Sequence, residues 1–103
     1  MTTNSTKGVA FYQRTVKEID DIEQPATKYA ESRGWLIEKV VSNSRRGFPD
    51  RFCARNGRVM LVEFKAPGKE PTEQQLNRHL ELRRQGVEVH LIDNLQDAKS
   101  LFR

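Results

Sequence analysis

The sequence predicts one α/β domain in which a mixed β-sheet carries helices on its faces. Three observations support this class. Asn56-Gly57 separates two short apolar runs and is typical of a β-hairpin, because a type I′ turn needs positive φ at both central residues. A helical pattern at 72–85 leads to another apolar run at 87–93, a crossover that favours parallel pairing. A chain of 103 residues has room for one core.

The elements follow in the order α-β-β-β-α-β, with a short helix at the end. From about Asp20 to Arg33 apolar residues recur at helical spacing and stop at Gly34. Pro25 is tolerated in a first helical turn, so we predict that this helix begins near residues 21–24. Residues 35–41 are rich in β-branched and aromatic side chains and predict the first strand.

The hairpin turn sets the pairing of the next two strands. A two-residue loop places Phe52 opposite Leu61 and Asp50 opposite Glu63. Because side chains alternate between the faces of a sheet, Asp50, Glu63 and Lys65 share one face. Two carboxylates in opposite positions repel each other unless a cation lies between them.

This arrangement predicts a divalent-cation site at Asp50 and Glu63. Mg²⁺ prefers oxygen ligands and commonly uses one or two carboxylates, and Mn²⁺ suits the same ligands. A cation held there polarises a phosphoryl oxygen, and Lys65 beside it steadies developing charge or orients a nucleophile. The alternative is an ordinary solvent-facing hairpin end, in which Glu and Lys two residues apart are common.

The second helix begins with a recognisable cap. Residues 66–71 contain two prolines and predict a loop, after which Thr72 and Gln75 form a capping box. The helix extends to about Gln85, and its apolar face is predicted from helical spacing. Asn94 or Asp93 caps a last helix. The predicted face of the second helix comprises Leu76, His79, Leu80 and Arg83.

At these residues the sequence resembles the VRR-NUC family of the PD-(D/E)xK nuclease superfamily. The likeness spans roughly residues 20–97 and implies a restriction-endonuclease-like fold in its small stand-alone form. It also implies a metal-dependent nuclease that cuts branched DNA such as Holliday junctions as a homodimer. The matching segments are Gly47-Phe48-Pro49-Asp50-Arg51, Val62 to Gly68, Pro71 to Gln75, and Gly86 to Val89.

The resemblance also implies roles for particular residues. Glu23 completes the acidic cluster, with Glu18 as the alternative, although a carboxylate in a first helical turn is equally explained by the helix dipole. Gln75 lines the active site, a role that competes with its helix cap for one side chain. The implied catalytic residues are Asp50, Glu63, Lys65, Gln75 and Glu23, and the implied metal ligands are Asp50, Glu63, the Phe64 carbonyl and Glu23.

Basic residues around this site are candidates for DNA contacts. Arg45 and Arg46 lie in a turn-rich loop that leads directly into Pro49-Asp50, where they suit phosphate contacts. Lys39 matches a basic position of the family. Each of these side chains could equally be a solvated surface residue. The DNA-contacting candidates are Lys39, Arg45, Arg46, Arg51 and Lys69.

Composition narrows the class of protein. Lys and Arg exceed Asp and Glu by 18 to 14, which suits an anionic partner such as nucleic acid. The single Cys53 excludes an intramolecular disulfide and a cysteine-rich zinc cluster. No apolar run reaches membrane-spanning length, no signal peptide core is present, and no glycine-rich loop predicts a nucleotide cofactor. We therefore expect a cytoplasmic, reducing location.

The domain layout is simple. Residues 1–16 are expected to form a tail or short packing element, and residues 17–103 a single nuclease-like domain. Two other functions fit the same sequence: a nucleic-acid-binding module without catalysis, and a nuclease that depends on a partner protein for targeting.

Overall fold

The computed structural model describes residues 19–103, which form a four-stranded sheet with helices on both faces. The predicted tail at 1–16 and the alternative acid Glu18 lie outside the described residues. In chain order the elements are α1 (residues 19–32), β1 (Leu36–Lys39), β2 (Arg51–Arg55), β3 (Arg58–Phe64), α2 (Glu73–Arg84), β4 (Glu88–Ile92) and α3 (Leu95–Leu101).

The sheet has the strand order β1-β2-β3-β4 and mixes both pairing directions. The first two pairs are antiparallel, whereas β4 runs parallel to β3 because α2 crosses over between them. Asn56 and Gly57 have φ of 51° and 85°, the turn geometry predicted from sequence. Phe52 pairs with Leu61, so the predicted hairpin register and the mixed α/β class are confirmed.

The main core lies between one face of the sheet and the helices α1 and α3. Trp35 closes one end of it and donates a hydrogen bond of 3.0 Å from Nε1 to the Phe102 carbonyl oxygen. Cys53 is fully buried there, and burial raises the pKa of its thiol to about 12. The other buried members include Ile22, Ala26, Ala30, Ile37, Met60, Val62, Phe64, Ile92 and Ala98.

The prediction that Pro25 lies in the first turn of α1 is wrong. The helix is already formed at residue 19, so Pro25 lies in its interior. A proline there removes one backbone hydrogen bond and costs about 3 kcal/mol. Ile22 is buried and Ile19 packs against the core, and burial of such side chains contributes about 1.5–3 kcal/mol each. Their packing offsets the cost of the proline.

Helix α2 packs on the opposite face of the sheet, and of its four predicted inward residues only His79 is buried. Leu76 and Leu80 are 48% and 47% exposed, whereas His79 is buried. The inward side of α2 comprises Gln75, Arg78, His79 and Leu82. The sheet presents Glu63 beneath the start of this helix, and the polar side chains Gln75 and His79 turn toward it.

The same face of the sheet is partly open to solvent. Leu36 and Val59 flank Ala54 in one row across β1, β2 and β3 and are 53% and 49% exposed. They lie beyond the part of the sheet that α2 covers. Across residues 19–103, no helix has the length and apolarity needed to cross a lipid bilayer.

Candidate active site

Gly47 fixes the loop that leads into the site. Its φ is +94°, and a Cβ atom on it would lie 2.4 Å from the Gln74 carbonyl oxygen and 2.8 Å from the Gln75 nitrogen. Only glycine therefore allows the loop to rest on the first turn of α2. Pro49 follows in a fully buried position and brings Asp50 to the start of β2.

Asp50 and Glu63 form the centre of the site. Glu63 is only 6% exposed, and each residue has one buried carboxylate oxygen, Oδ1 of Asp50 and Oε1 of Glu63, that finds no hydrogen-bond partner within residues 19–103. Burial and then the charge of Glu23 raise the pKa of Asp50 to about 6. Burial and then the charge of Asp50 raise the pKa of Glu63 to about 8.

These two carboxylates fit a hard divalent cation. A buried carboxylate without a partner is costly, and the cost is relieved either by a proton or by a positive ion. The donor set consists of carboxylate oxygens, which Mg²⁺ and Mn²⁺ accept in preference to softer ligands. No group of three or more His, Cys, Asp or Glu side chains in residues 19–103 is arranged to hold a metal. The fit therefore depends on the pair, with water or substrate oxygens completing the shell.

Phe64 and Lys65 continue β3 past Glu63. The Phe64 side chain is buried in the core, so only its backbone is available to the site. A hydrogen bond from the Phe64 backbone opposes the upward shift in the pKa of Asp50. The charge of Lys65 lowers the pKa of both Glu63 and His79. The Lys65 backbone N–H donates to Ile92 at 2.9 Å and extends the parallel ladder.

The Gln75 side chain caps α2 and contacts Glu63 at the same time, while its role in an active site stays a prediction. Its Oε1 accepts a hydrogen bond of 2.9 Å from the Thr72 backbone and so completes the capping box. Its Nε2 donates to Glu63 Oε2 in a long contact of 3.5 Å. An amide has both an acceptor and a donor, so one side chain can cap the helix and reach the carboxylate.

His79 is the site residue that sequence reasoning missed. It is 2% exposed, its Nε2 lies 3.9 Å from Glu63 Oε1, and neither atom has a hydrogen-bond partner in the described part of the chain. Burial lowers the pKa of His79 and so favours the neutral ring. The available signal was its spacing of four residues from Gln75, which places both on one side of α2.

Glu23 is engaged by an arginine. Arg51 donates to Glu23 Oε2 from Nε at 3.0 Å and from a terminal nitrogen at 2.9 Å, and both side chains are largely buried. The charge of Glu23 still raises the pKa of Asp50 and Glu63. Its role as a metal ligand and the DNA contact of Arg51 stay predictions, and either role would require this ion pair to loosen.

The other basic candidates are spread over the surface. Arg45 forms a two-pronged ion pair with Glu81 of α2, with distances of 2.7 and 3.1 Å, and Arg46 beside it is exposed. Lys39 is exposed at the end of β1, and Lys69 lies in the exposed loop before α2. Of the five candidates, Arg45 and Arg46 line a cavity together with residues of α2.

Comparisons with known proteins show that this chain is similar to a protein named as a nuclease and to a solved nuclease-family domain. The chain is 40% identical over 90 residues to the protein named "Putative nuclease p44" of Acyrthosiphon pisum secondary endosymbiont phage 1, covering 86% of this chain and 95% of that protein. A solved structure titled "VRR_NUC domain" superposes with a TM-score of 0.74 at 24% identity, covering 82% of this chain and 92% of the other. This second likeness shows the shared fold. No protein-family profile matches the chain.

Proposed function

This chain belongs to the VRR-NUC family of nucleases, and from that premise we propose that it hydrolyses DNA phosphodiester bonds with a divalent cation held by Asp50 and Glu63. The observation that supports this most is the pair of buried carboxylate oxygens without hydrogen-bond partners in the described part of the chain. A nuclease needs positive charge beside the scissile phosphate, and this pair is where a cation would be stabilised.

Asp50 and Glu63 would hold Mg²⁺ or Mn²⁺, with the Phe64 carbonyl as a further ligand. When bound, the ion polarises a phosphate oxygen and makes a nearby water more acidic. Lys65 lies beside Glu63 and would orient the attacking water and offset the charge that develops on the phosphate. Water adds its oxygen to phosphorus, the bond to one sugar oxygen breaks, and that oxygen takes a proton.

Gln75 and His79 would hold Glu63 in place. The Gln75 amide is itself fixed by the helix cap, and the His79 ring is fixed by burial. Their nitrogens lie 3.5 and 3.9 Å from the two oxygens of Glu63, just beyond good hydrogen bonds. Outer groups of this kind orient metal-binding carboxylates and strengthen their affinity for the ion. Glu23 would hold a second ion or a water if Arg51 releases it.

Branched DNA, such as a Holliday junction, is the substrate class that we propose, with a homodimer as the active form. A chain with one carboxylate pair cuts one strand, whereas a junction needs two coordinated cuts. The half-exposed row of Leu36, Ala54 and Val59 supplies apolar surface that a second copy could bury. Light scattering of the purified protein should give twice the chain mass. A monomer at assay concentrations would contradict this part of the proposal.

A cleavage assay tests the proposed activity. Supercoiled plasmid, four-way junction, flap and linear duplex are incubated with Mg²⁺ or Mn²⁺, with EDTA as the blank. The wild type should cut in a metal-dependent manner, and the junction should be cut fastest. Lys65→Met should lose most of this activity, whereas Arg58→Ala, on a distant exposed surface, should keep it. Cleavage that survives EDTA or Lys65→Met would contradict the mechanism, and binding without cleavage would favour a DNA-binding module.

A further inference from the structure

A basic cavity lies between α2 and the loop that leads into Asp50. It has a volume of about 450 Å³ and adjoins a smaller one of about 160 Å³ along the same helix. Three residues line both cavities: Arg45, Arg78 and Glu81. Arg84 is a further basic residue in the lining of the larger cavity, and Arg46 is one in the lining of the smaller cavity.

Positive charge exceeds negative charge in this cavity. Glu81 is the single carboxylate among the lining residues, and it faces several guanidinium groups. Arg45 donates two hydrogen bonds of 2.7 and 3.1 Å to the Glu81 carboxylate, and the Nε atom of Arg78 lies 3.9 Å from the same carboxylate. A guanidinium fork around two oxygens is the geometry that also binds a phosphate.

One residue of the cavity, Arg78, also contacts the segment that leads into the candidate active site. The Arg78 guanidinium lies 5.2 Å from the centre of the Phe48 ring, and Phe48 stands two residues before Asp50. Gln75, which contacts Glu63, is less than one helical turn before Arg78. Arg78 thus joins the lining of the cavity to the segment that carries Asp50.

We propose that this cavity binds a backbone phosphate of the DNA next to the scissile one, and that Glu81 occupies the phosphate position in the DNA-free protein. The inference rests on the proposed function and adds to it a second anchoring point, formed by Arg45, Arg78 and Arg84. DNA binding exchanges the Arg45–Glu81 pair for an Arg45–phosphate pair. Glu81 thus lowers the affinity for nucleic acid until the correct backbone geometry displaces it.

The molecule contains a matched control for this exchange. Arg58 of β3 and Glu88 of β4 form another exposed two-pronged ion pair, with distances of 2.6 and 3.1 Å. They lie at the end of the parallel pair away from Glu63. Glu81→Gln and Glu88→Gln remove the same charge, so a difference between the two variants reports position and not net charge.

The experiment measures binding of a fluorescent four-way junction by anisotropy in EDTA, so that no cleavage occurs. Glu81→Gln should bind more tightly than Glu88→Gln. Its plot of log affinity against log salt should be steeper by up to about 0.9, because the displaced Glu81 no longer offsets the charge that Arg45 presents to one phosphate. That difference is about 3.5-fold in affinity across a fourfold change in salt. Arg84→Ala should flatten the slope, whereas Arg58→Ala should not.

The opposite results overturn the inference. If Glu81→Gln and Glu88→Gln have equal affinity and equal slope, or if Glu81→Gln binds more weakly, the cavity is not a phosphate site. Failure of the proposed nuclease function is a separate outcome, because it would appear as absence of Mg²⁺-dependent cleavage by the wild type while these binding differences persist.

Discussion

The two faces of the sheet differ in whether their buried polar groups have hydrogen-bond partners. On the side of α1 and α3, β3 presents Met60, Val62 and Phe64 to an apolar core, and the Trp35 indole has its hydrogen bond. On the side of α2, the same strand presents Glu63, with an oxygen that has no partner in the described residues. Strand β3 therefore contributes apolar side chains to the core on one face and a carboxylate to the candidate site on the other.

The distribution of unpartnered atoms makes the contrast quantitative. Four buried side-chain polar atoms in residues 19–103 lack a hydrogen-bond partner, and three of them belong to Asp50, Glu63 and His79. The fourth is the hydroxyl of Thr27 in α1. Buried polar groups are normally satisfied, so a cluster of exceptions marks a place where an outside ligand completes the structure.

Replacing Asp50 should have the largest effect and should separate activity from stability. Asp50→Asn removes a charge that the cation requires, so cleavage should fall by a factor of about 10³, which corresponds to a loss of several kcal/mol. The metal-free variant should nevertheless be at least as stable as wild type, because a repulsive charge has gone. Plasmid nicking and urea unfolding in EDTA measure both. A variant that is inactive because it is unfolded would contradict this separation.

A substitution in the apolar core on the other face of the sheet should reduce stability, and the loss should not depend on the cation. Met60 is fully buried among apolar side chains, so Met60→Ala should reduce the free energy of unfolding by about 2–5 kcal/mol. The loss should be the same in EDTA and in Mg²⁺, since no charge is involved. Urea unfolding with and without the ion gives the comparison. A loss that depended on Mg²⁺ would show that the two faces are not independent.

The pH dependence of stability should reveal the carboxylate pair. The pKa of Glu63 is about 8 in the folded chain against an ordinary 4.5, so the folded state binds the proton more tightly. This contribution to stability is fully present below pH 4.5 and is lost as pH rises through 8. The metal-free protein should therefore lose stability between about pH 6.5 and 8.5, by an amount on the order of a few kcal/mol.

Two choices isolate that effect. The window lies between the ordinary pKa of 6.5 for His79 and the ordinary 9.0 for Cys53, so each group titrates only in part across it, and a matched variant of Glu63 separates the carboxylate from both. Glu63→Gln should abolish most of the slope, and Mg²⁺ should reverse it because a bound cation favours the ionised pair. Thermal unfolding in EDTA across the window is the measurement. A flat profile for the wild type would be incompatible with a buried, repelling pair.

The smallest expected effect concerns His79. His79→Leu keeps the packing volume but removes the ring nitrogen beside Glu63, so Mn²⁺ affinity should weaken by about tenfold. His79→Gln retains an N–H donor and should recover part of that loss. Isothermal titration with Mn²⁺ reads this directly, without DNA. If both variants bind Mn²⁺ as tightly as the wild type, His79 contributes packing alone.

Local signals predicted the fold and the centre of the site. Asn56-Gly57 specified the hairpin register, which in turn brought Asp50 toward Glu63, because pairing in a tight turn depends only on neighbouring residues. The cap at Thr72 likewise needed no distant contact. Sequence therefore sufficed wherever a structure is determined by a few consecutive residues.

Features that depend on contacts between distant parts of the chain could not be predicted from the sequence. Pro25 lies inside α1 because isoleucines before it are buried against a sheet formed far along the chain. The rotation of α2 depends on what the sheet presents beneath it, which hid the role of His79. The Arg51–Glu23 and Arg45–Glu81 ion pairs join residues at least 28 positions apart, so no local pattern announced them.

The central claim is that Asp50 and Glu63 together hold a divalent cation, and Mn²⁺ titration of the metal-free protein at pH 8 tests it most directly. Wild type and Glu88→Gln should each bind the ion at a site that Glu63→Gln lacks. Equal Mn²⁺ binding by Glu63→Gln and the wild type, or no binding by the wild type, would contradict the account.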